Sequence, residues 1–284
     1  MADERPLIVY HGQCPDGFGG AYAAWKKFGT GAEYLPLTYN DPVPGLFEGR
    51  TVYFIDFCYE QEIMERIEKD AECLVVLDHH QGTKDVVERM KEHVYDEMRS
   101  GATIAWNYFH PEKSVPVLLK YVEAGDLYRF DLVDAHELLT YLYTRPFTFE
   151  AWEQLEKRVA DTKERSVMVE RGKIYLEYKA HIIQKLVDDA TLIRFEGYTC
   201  LLSPTLRVFT SELGNLLAKK QPPFSLTLQA RHDGIRVSLR GTGEVDVAAL
   251  ARKYGGNGHP NAAAFSLPHG SLIPWERVEE KDIA

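Results

Sequence analysis

The sequence predicts an α/β protein with a parallel-sheet N-terminal domain, a long connecting helix and a smaller mixed α/β C-terminal domain. Three patterns indicate this fold class: short apolar runs alternating with helical segments, a nearly unbroken helical stretch over 149–190, and alternating apolar runs after it. Strands of four to six residues separated by helices are typical of parallel βαβ units with helices on both faces. We expect domains at 1–190 and 191–284.

The first half alternates strands and helices in a regular order. Four apolar runs predict strands, at 7–10, 33–37, 51–55 and 73–77. Helical patterns predict helices over about 17–28, 61–70, 100–109 and 116–125. The segment SGAT at 100–103 is expected to cap the third of these helices, because serine favours the position before a helix.

The pattern changes after residue 190. Apolar runs predict strands at 191–195, 198–203 and 262–267, and helical patterns cover 211–220 and 245–254. The tripeptide His232-Asp233-Gly234 separates two alternating runs within 224–241, which is a hairpin signal. This order of elements predicts a smaller mixed α/β domain.

Composition restricts the class and the compartment. With 284 residues, of which 45% are hydrophobic, the chain can bury a substantial core. The four cysteines lie far apart with no CxxC pair, which favours reduced thiols in a cytoplasmic protein. Charges precede the short apolar run at 7–10, and no run approaches the roughly 18 apolar residues of a membrane span. We expect a cytoplasmic protein with no membrane partner.

The formal net charge is −10, which argues against a broad surface that tracks the phosphates of long duplex DNA. An anionic substrate remains compatible with this charge, because a bound metal ion can reverse the local sign. An acidic protein that handles phosphates therefore needs metal ions or a local basic cluster.

Polar side chains follow three of the predicted strands at the point where each strand ends. They are His11, Cys14 and Asp16 after the first strand, Asp56 after the third, and Asp78, His79 and His80 after the fourth. Any one of them is ordinarily a helix cap or a backbone partner. Together they predict a metal site, because the carboxyl ends of parallel strands share one edge of the sheet. Carboxylates and imidazoles suit Mn²⁺ or Mg²⁺, with Zn²⁺, Fe²⁺ and Co²⁺ also compatible.

These motifs resemble the DHH phosphoesterase superfamily, named for the triplet at 78–80. His11, Asp16 and Gly17 resemble its first motif, Asp56 its second, and Asp126 in YVEAGDLYRF its fourth. GGNGHPNAAAF at 255–265 is similar to the glycine-rich GGGH motif of the DHH-associated C-terminal domain. The resemblance spans nearly the whole chain and implies hydrolysis of phosphoester or phosphoanhydride bonds with two metal ions, usually manganese.

The resemblance also implies roles for individual residues. Asp56 is expected to bridge both ions. His79, Asp16 and Asp126 are expected to complete one metal site, and His11 belongs to the other. His80 is expected to face the phosphate as a catalytic group, and Asp78 to orient an imidazole.

One position departs from the family pattern. The first motif usually carries two aspartates as DxD, whereas this chain reads Cys14-Pro15-Asp16. A Cys14 thiolate is compatible with metal binding, especially of zinc or iron. A neutral buried cysteine beside a helix N-terminus fits the sequence equally well.

The C-terminal motif is expected to bind substrate. Backbone N–H groups of Gly255, Gly256 and Gly258 can approach phosphate oxygens closely, and His259 can donate a hydrogen bond. Arg240 resembles the arginine that commonly precedes this motif, and its planar guanidinium suits a distal phosphate.

These features together favour a metal-dependent enzyme that hydrolyses phosphodiester bonds in short oligonucleotides or small nucleotides. Hydrolysis of polyphosphate or another phosphoanhydride is an alternative within the family. A catalytically weak nucleotide or phosphate sensor is a second alternative, suggested by Cys14. The sequence leaves open RNA against DNA, the polarity of cleavage and the oligomeric state.

Overall fold

The structure is a computed structural model that describes residues 5–12, 14–38 and 41–278. Contacts divide the chain into two compact units, Met1–Leu176 and Glu177–Ala284, which are described separately below. The division falls within a long helix, so the boundary expected near residue 190 stays a prediction. Among the described residues, no helix is both long and apolar enough to cross a membrane.

The first unit contains a five-stranded sheet in which every strand pair is parallel. Its strands are β1 (Leu7–His11), β2 (Glu33–Leu37), β3 (Thr51–Ile55), β4 (Cys73–Asp78) and β5 (Glu92–Tyr95). They lie in the order β2-β1-β3-β4-β5, and the predicted α/β class is confirmed. The sequence did not predict β5, an edge strand whose residues are mostly exposed and lack a continuous apolar run.

Helices connect the strands and follow them. They are α1 (Pro15–Phe28), α2 (Gln61–Asp70), α3 (Lys84–Val87), α4 (Gly101–Phe109), α5 (Val117–Asp126), α6 (Ala135–Tyr143), α7 (Phe149–Ala160) and α8 (Thr162–Asp188). The helical stretch that begins at Phe149 is interrupted at Asp161, whose carboxylate accepts the backbone N–H groups of Lys163 and Glu164. This capping ends α7 and starts α8.

Helix α6 was not predicted from the sequence. Its first turn follows Asp134, which has a left-handed backbone (φ +59°) and makes no side-chain cap. The sequence does carry the residue types of a helix start, Asp134 followed three residues later by Glu137, although Asp134 does not cap the helix in the structure.

The sheet of the first unit is covered on both faces. Alternate strand residues such as Ile8 and Leu77 pack on one side with α1 and α4, and Val9 and Val76 pack on the other. Helix α1 lies very close to the sheet, since a Cβ at Gly20 would be 2.3 Å from Cγ2 of Ile55. Both faces of the sheet are covered, and the polar residues that end or follow the strands lie at its carboxyl edge.

The second unit contains a seven-stranded sheet with the order β10-β11-β9-β8-β7-β6-β12. Its elements are β6 (Thr191–Phe195), β7 (Tyr198–Pro204), α9 (Thr210–Lys220), β8 (Phe224–Arg231), β9 (Gly234–Gly241), α10 (Val247–Arg252), β10 (Asn257–His259), β11 (Ala262–Pro268) and β12 (Trp275–Arg277). Strands β7 and β8 are parallel, and the other pairs are antiparallel. The predicted hairpin is present as β8 and β9.

Candidate metal centre

The carboxyl ends of β1, β3 and β4 lie side by side, because β3 pairs with both of the others. His11 ends β1, Asp78 ends β4, and Asp56 directly follows β3. Two helix termini add further carboxylates, Asp16 in the first turn of α1 and Asp126 as the last residue of α5. The predicted ligands therefore meet at one edge of the sheet.

Asp56 lies at the middle of this cluster and is only 1% exposed. Its Oδ1 is 3.2 Å from Nε2 of His79 and 3.7 Å from Nδ1 of His80. Its Oδ2 is 3.4 Å from Nδ1 of His11 and 3.9 Å from Sγ of Cys14. The two oxygens thus face two different groups of potential ligands. Asp56 has a left-handed backbone (φ +60°), which is uncommon for non-glycine residues and is enriched at functional sites.

The first ligand group combines Asp16, His79 and Asp126. Nε2 of His79 is 3.4 Å from Oδ2 of Asp126 and 3.6 Å from Oδ2 of Asp16. The three ligand atoms all lie within 4.8 Å of one another. This spacing is compatible with one cation held by two carboxylates and an imidazole.

The second ligand group combines His11, Cys14 and Asp56, whose ligand atoms also lie within 4.8 Å of one another. Cys14 precedes α1 in an extended conformation and makes no side-chain cap. Burial, followed by the charge of Asp56, raises the pKa of the Cys14 thiol to about 12. The thiol is therefore neutral at pH 7 unless a cation displaces its proton, and coordination by Cys14 stays a prediction.

Asp78 accepts hydrogen bonds from several of its neighbours. Oδ1 lies 2.8 Å from Nδ1 of His80 and accepts the backbone N–H of His79 at 2.7 Å, while Oδ2 accepts the hydroxyl of Thr83 at 2.8 Å. The hydrogen bond to Asp78 raises the pKa of His80 to about 9, although burial opposes the shift. Asp78 is thus placed to orient His80, and His80 carries a proton at pH 7 in the metal-free protein.

Asp16 is held by the N-terminus of α4. Its Oδ2 accepts the backbone N–H of Gly101 at 2.7 Å, and its Oδ1 accepts that of Ala102 at 3.0 Å. The hydroxyl of Ser100 caps the same helix by accepting the N–H of Thr103, so the SGAT segment has the capping role expected of it. The backbone amides of Gly101 and Ala102, the first two residues of α4, also hold Asp16, a candidate metal ligand, in place.

The electrostatics of the cluster fit a bound cation. Burial and then the charge of Asp56 raise the pKa of both Asp16 and Asp126. Burial would also raise the pKa of Asp56, but hydrogen bonds from His11 and His79 outweigh it, and the net pKa is lowered. The three carboxylates converge, with Asp16 and Asp56 buried and Asp126 at the exposed side of the cluster. They repel one another, and a divalent cation removes that penalty.

Two side chains near this cluster were not identified from the sequence. Thr83 lies in the loop after the DHH triplet and bonds to Asp78, a contact without a sequence signal of its own. Tyr143 ends α6 with an exposed side chain. Partial desolvation, followed by the charges of Cys14, Asp126 and Asp16, raises its pKa, so the phenol interacts electrostatically with the cluster. The missing prediction of α6 explains why Tyr143 was overlooked.

Known proteins offer comparisons with this chain by sequence and by structure. No protein-family model matches the chain. An uncharacterised protein of Acanthamoeba polyphaga mimivirus is 29% identical over 98% of this chain and 71% of its own length. The structure is similar to a pGpG-specific phosphodiesterase from Vibrio cholerae (TM-score 0.54, 14% identity, 94% of each chain covered). It is also similar to exonuclease RecJ bound to manganese (TM-score 0.52, 12% identity, covering 93% of this chain and 86% of that one).

The chain shares its fold with these two proteins. This likeness confirms the resemblance inferred from the motifs at the level of the fold. In the cluster of candidate ligands, Cys14 occupies the position at which the sequence motif predicts an aspartate.

The C-terminal residues of the DHH-like pattern lie in the second unit. The half-buried Arg240 on β9 donates from Nη2 to the hydroxyl of Ser211 and from Nη1 to the carbonyl of Leu239, both at 2.9 Å. Within the described ranges, no carboxylate forms an ion pair with Arg240. A half-buried guanidinium without a carboxylate partner is suited to an anionic ligand.

The glycines at 255–258 have a packing role as well. A Cβ at Gly256 would lie 2.3 Å from the carbonyl oxygen of Ala264, and one at Gly258 would lie 2.5 Å from that of Ala262. Gly255 instead has open space around it and a left-handed backbone (φ +71°). His259 is exposed. Binding of substrate by this segment stays a prediction.

Proposed function

We propose that this chain is a metal-dependent phosphoesterase that hydrolyses phosphodiester bonds in short oligonucleotides or small nucleotides. The observation that carries the proposal is Asp56, whose two oxygens face two separate ligand groups at the carboxyl edge of the parallel sheet. The DHH fold supports the same reaction class, since the two similar structures are a phosphodiesterase and an exonuclease.

The residues present fit two divalent ions. Asp16, His79 and Asp126 would hold one ion, His11 and Cys14 the other, and Asp56 would contact both. Bound there, two such ions would neutralise phosphoryl oxygens and lower the pKa of a water molecule. We propose Mn²⁺ as the principal ion, with Mg²⁺, Co²⁺, Fe²⁺ and Zn²⁺ compatible with the same ligand types.

His80 is the group that would donate a proton in the reaction. The Asp78 carboxylate holds its Nδ1 at 2.8 Å, which leaves Nε2 free to face the substrate. A protonated imidazole there donates a hydrogen bond to a phosphate oxygen and can deliver its proton to the leaving oxygen. Asp78 keeps the ring oriented throughout.

The proposed substrate is small and phosphorylated. A net charge of −10 disfavours a long polyanion such as duplex DNA. In the second unit, Arg240 and the segment that contains Gly255, Gly256, Gly258 and His259 are proposed to bind the distal phosphate or the base. The cytoplasmic location stays a prediction.

A substrate panel with Mn²⁺ tests the proposal. The panel contains short oligoribonucleotides, short oligodeoxynucleotides, linear and cyclic dinucleotides, 3′-phosphoadenosine 5′-phosphate and polyphosphate. We expect release of mononucleotides that stops on chelation and in Asp56→Ala. Asp233→Asn is the matched control, because it neutralises an exposed carboxylate in the β8–β9 turn. Release of phosphate from polyphosphate alone, or substrate binding without turnover that Asp56→Ala leaves unchanged, would contradict the proposal.

A further inference from the structure

We propose that the two ligand groups select different metals, and that the group of His11, Cys14 and Asp56 is a thiolate site for a borderline cation such as Zn²⁺ or Fe²⁺. This inference rests on the proposed function, because it assigns metals to the same centre. It goes further by making the centre chemically asymmetric, with sulfur on one side of Asp56 and only oxygen and nitrogen on the other.

The geometry around Oδ2 of Asp56 carries the proposal. Sγ of Cys14 lies 3.9 Å from this oxygen, and Nδ1 of His11 lies 3.4 Å from it. One sulfur, one nitrogen and one oxygen therefore surround a common point, each within 4.8 Å of the others. This donor set is typical of zinc and other borderline ions.

The packing holds these side chains towards each other. A Cβ at Gly17 would lie 2.2 Å from the carbonyl oxygen of His11, so the first turn of α1 sits directly against the end of β1. Cys14 immediately precedes that turn, and its carbonyl accepts the N–H of Phe18 at 3.0 Å. Cys14 therefore lies beside His11, three residues after the end of β1.

The surroundings of Cys14 differ from those of a cysteine that serves only as packing. Cys58 and Cys200 are buried within apolar clusters of the two units. Cys14 belongs to none of the apolar clusters formed by the described residues, and its thiol lies 3.9 Å from the buried carboxylate of Asp56. Its surroundings therefore favour a ligand role over packing alone.

The other group has a different chemical character. Asp16 and Asp126 supply carboxylate oxygens, and His79 supplies the remaining donor. Such a set suits Mn²⁺ or Mg²⁺, whereas a thiolate favours Zn²⁺ or Fe²⁺. When a cation binds Cys14, a metal–sulfur bond forms and the thiol proton leaves to solvent.

Cobalt spectroscopy tests thiolate ligation directly. The full chain is stripped with chelator and titrated with Co²⁺, which gives a near-ultraviolet charge-transfer band only when sulfur is a ligand. We expect the band in the unmodified chain and its loss in Cys14→Ser and Cys14→Asp. Cys73→Ser is the matched control, since Cys73 begins β4 at the end opposite to Asp78 and should leave the band intact.

Metal competition tests selectivity. The stripped chain is given limiting equimolar Zn²⁺ and Mn²⁺, and the retained metals are counted by mass spectrometry. We expect Cys14→Asp to lower the ratio of bound zinc to bound manganese. The decrease should exceed the roughly 10- to 100-fold loss of metal affinity that follows removal of a residue hydrogen-bonded to a ligand. Cys14→Asp restores the carboxylate of the usual motif, so it keeps the test valid where Cys14→Ser does not fold.

The outcomes separate this inference from the proposed function. Absence of the charge-transfer band in the unmodified chain, or an unchanged metal ratio in Cys14→Asp, overturns the thiolate site even where Mn²⁺ supports hydrolysis. A band that requires Cys14, in a chain that hydrolyses none of the panel, upholds the thiolate site and overturns the proposed function.

Discussion

Nδ1 of His80 lies 2.8 Å from Oδ1 of Asp78, a carboxylate with no exposed surface. Asp78 accepts four hydrogen bonds in all: from this ring, from the backbone N–H groups of His79 and His80, and from the hydroxyl of Thr83. Three of these four bonds fall on Oδ1, an arrangement expected of a carboxylate that positions the His80 ring.

The pKa of His80 should depend on Asp78. In the metal-free protein we expect an NMR titration to give a pKa of about 9, and Asp78→Asn to move it towards the ordinary value of histidine. Because the folded-state pKa is raised, this contact stabilises the fold fully below about 6.5, and its contribution is lost as pH rises through about 9. An unchanged pKa in Asp78→Asn would show that the carboxylate does not act on the ring.

Asp78→Asn should also slow the reaction. The amide still accepts hydrogen bonds through its oxygen, but it holds a protonated imidazole less firmly. We expect kcat to fall by about 10- to 100-fold with Mn²⁺ present, in line with the loss of a group that orients an active-site histidine. Thr83→Val is the control, because it removes one neutral hydrogen bond to the same carboxylate and should cost less. Equal losses in both variants would point to general damage to the loop.

Gly101 should be intolerant of a side chain. A Cβ there would lie 2.6 Å from Cβ of Asp56 and 3.0 Å from its Oδ1. We expect Gly101→Ala to lower the free energy of unfolding by about 1–3 kcal/mol, as overpacking does, and to weaken metal binding. Gly82→Ala is the matched control, since a Cβ at Gly82 meets nothing within 4 Å. Calorimetric titration with Mn²⁺ and chemical unfolding would measure both effects.

Asp126→Asn should have opposite effects on the metal-free and metal-bound protein. Burial and the charge of Asp56 raise the pKa of Asp126, so its anion is unfavourable without a cation. We expect the Tm of the metal-free variant to rise by a few degrees, since about 1 kcal/mol corresponds to roughly 2–4 °C in a chain of this class. The gain in Tm on adding Mn²⁺ should shrink. A lower Tm of the metal-free variant would contradict the repulsion between Asp126 and Asp56.

Arg240 should contribute to substrate binding. Its guanidinium is half-buried and forms no ion pair with a described carboxylate, which leaves it able to pair with a phosphate. We expect Arg240→Ala to raise KM by about 10- to 100-fold, the range of a hydrogen bond to a charged group. Arg236→Ala on the same strand is the control and should leave KM unchanged. A fall in kcat with no change in KM would contradict a role of Arg240 in substrate binding.

Part of the fold was predictable because its signals are local. The apolar run at 51–55 matches the central strand β3 in both bounds, since a buried parallel strand needs a continuous apolar segment. The run at 33–37 also matches β2, although this strand lies at an edge and buries only Leu37. Edge strand β5 was missed, because an exposed edge needs no apolar run. Helix α6 was missed although Asp134 and Glu137 mark a helix start, and Tyr143 at the end of α6 was missed with it.

The sequence alone determined the kinds of candidate ligand and the strand ends that carry them. His11, Asp56 and His79 follow apolar runs, and parallel strands bring their carboxyl ends to one edge. Only the tertiary structure decided which oxygen of Asp56 faces which ligands. That orientation depends on its left-handed backbone and on the close contact with Gly101. Neither can be read from a strand pattern, because both arise where α4 meets the end of β3.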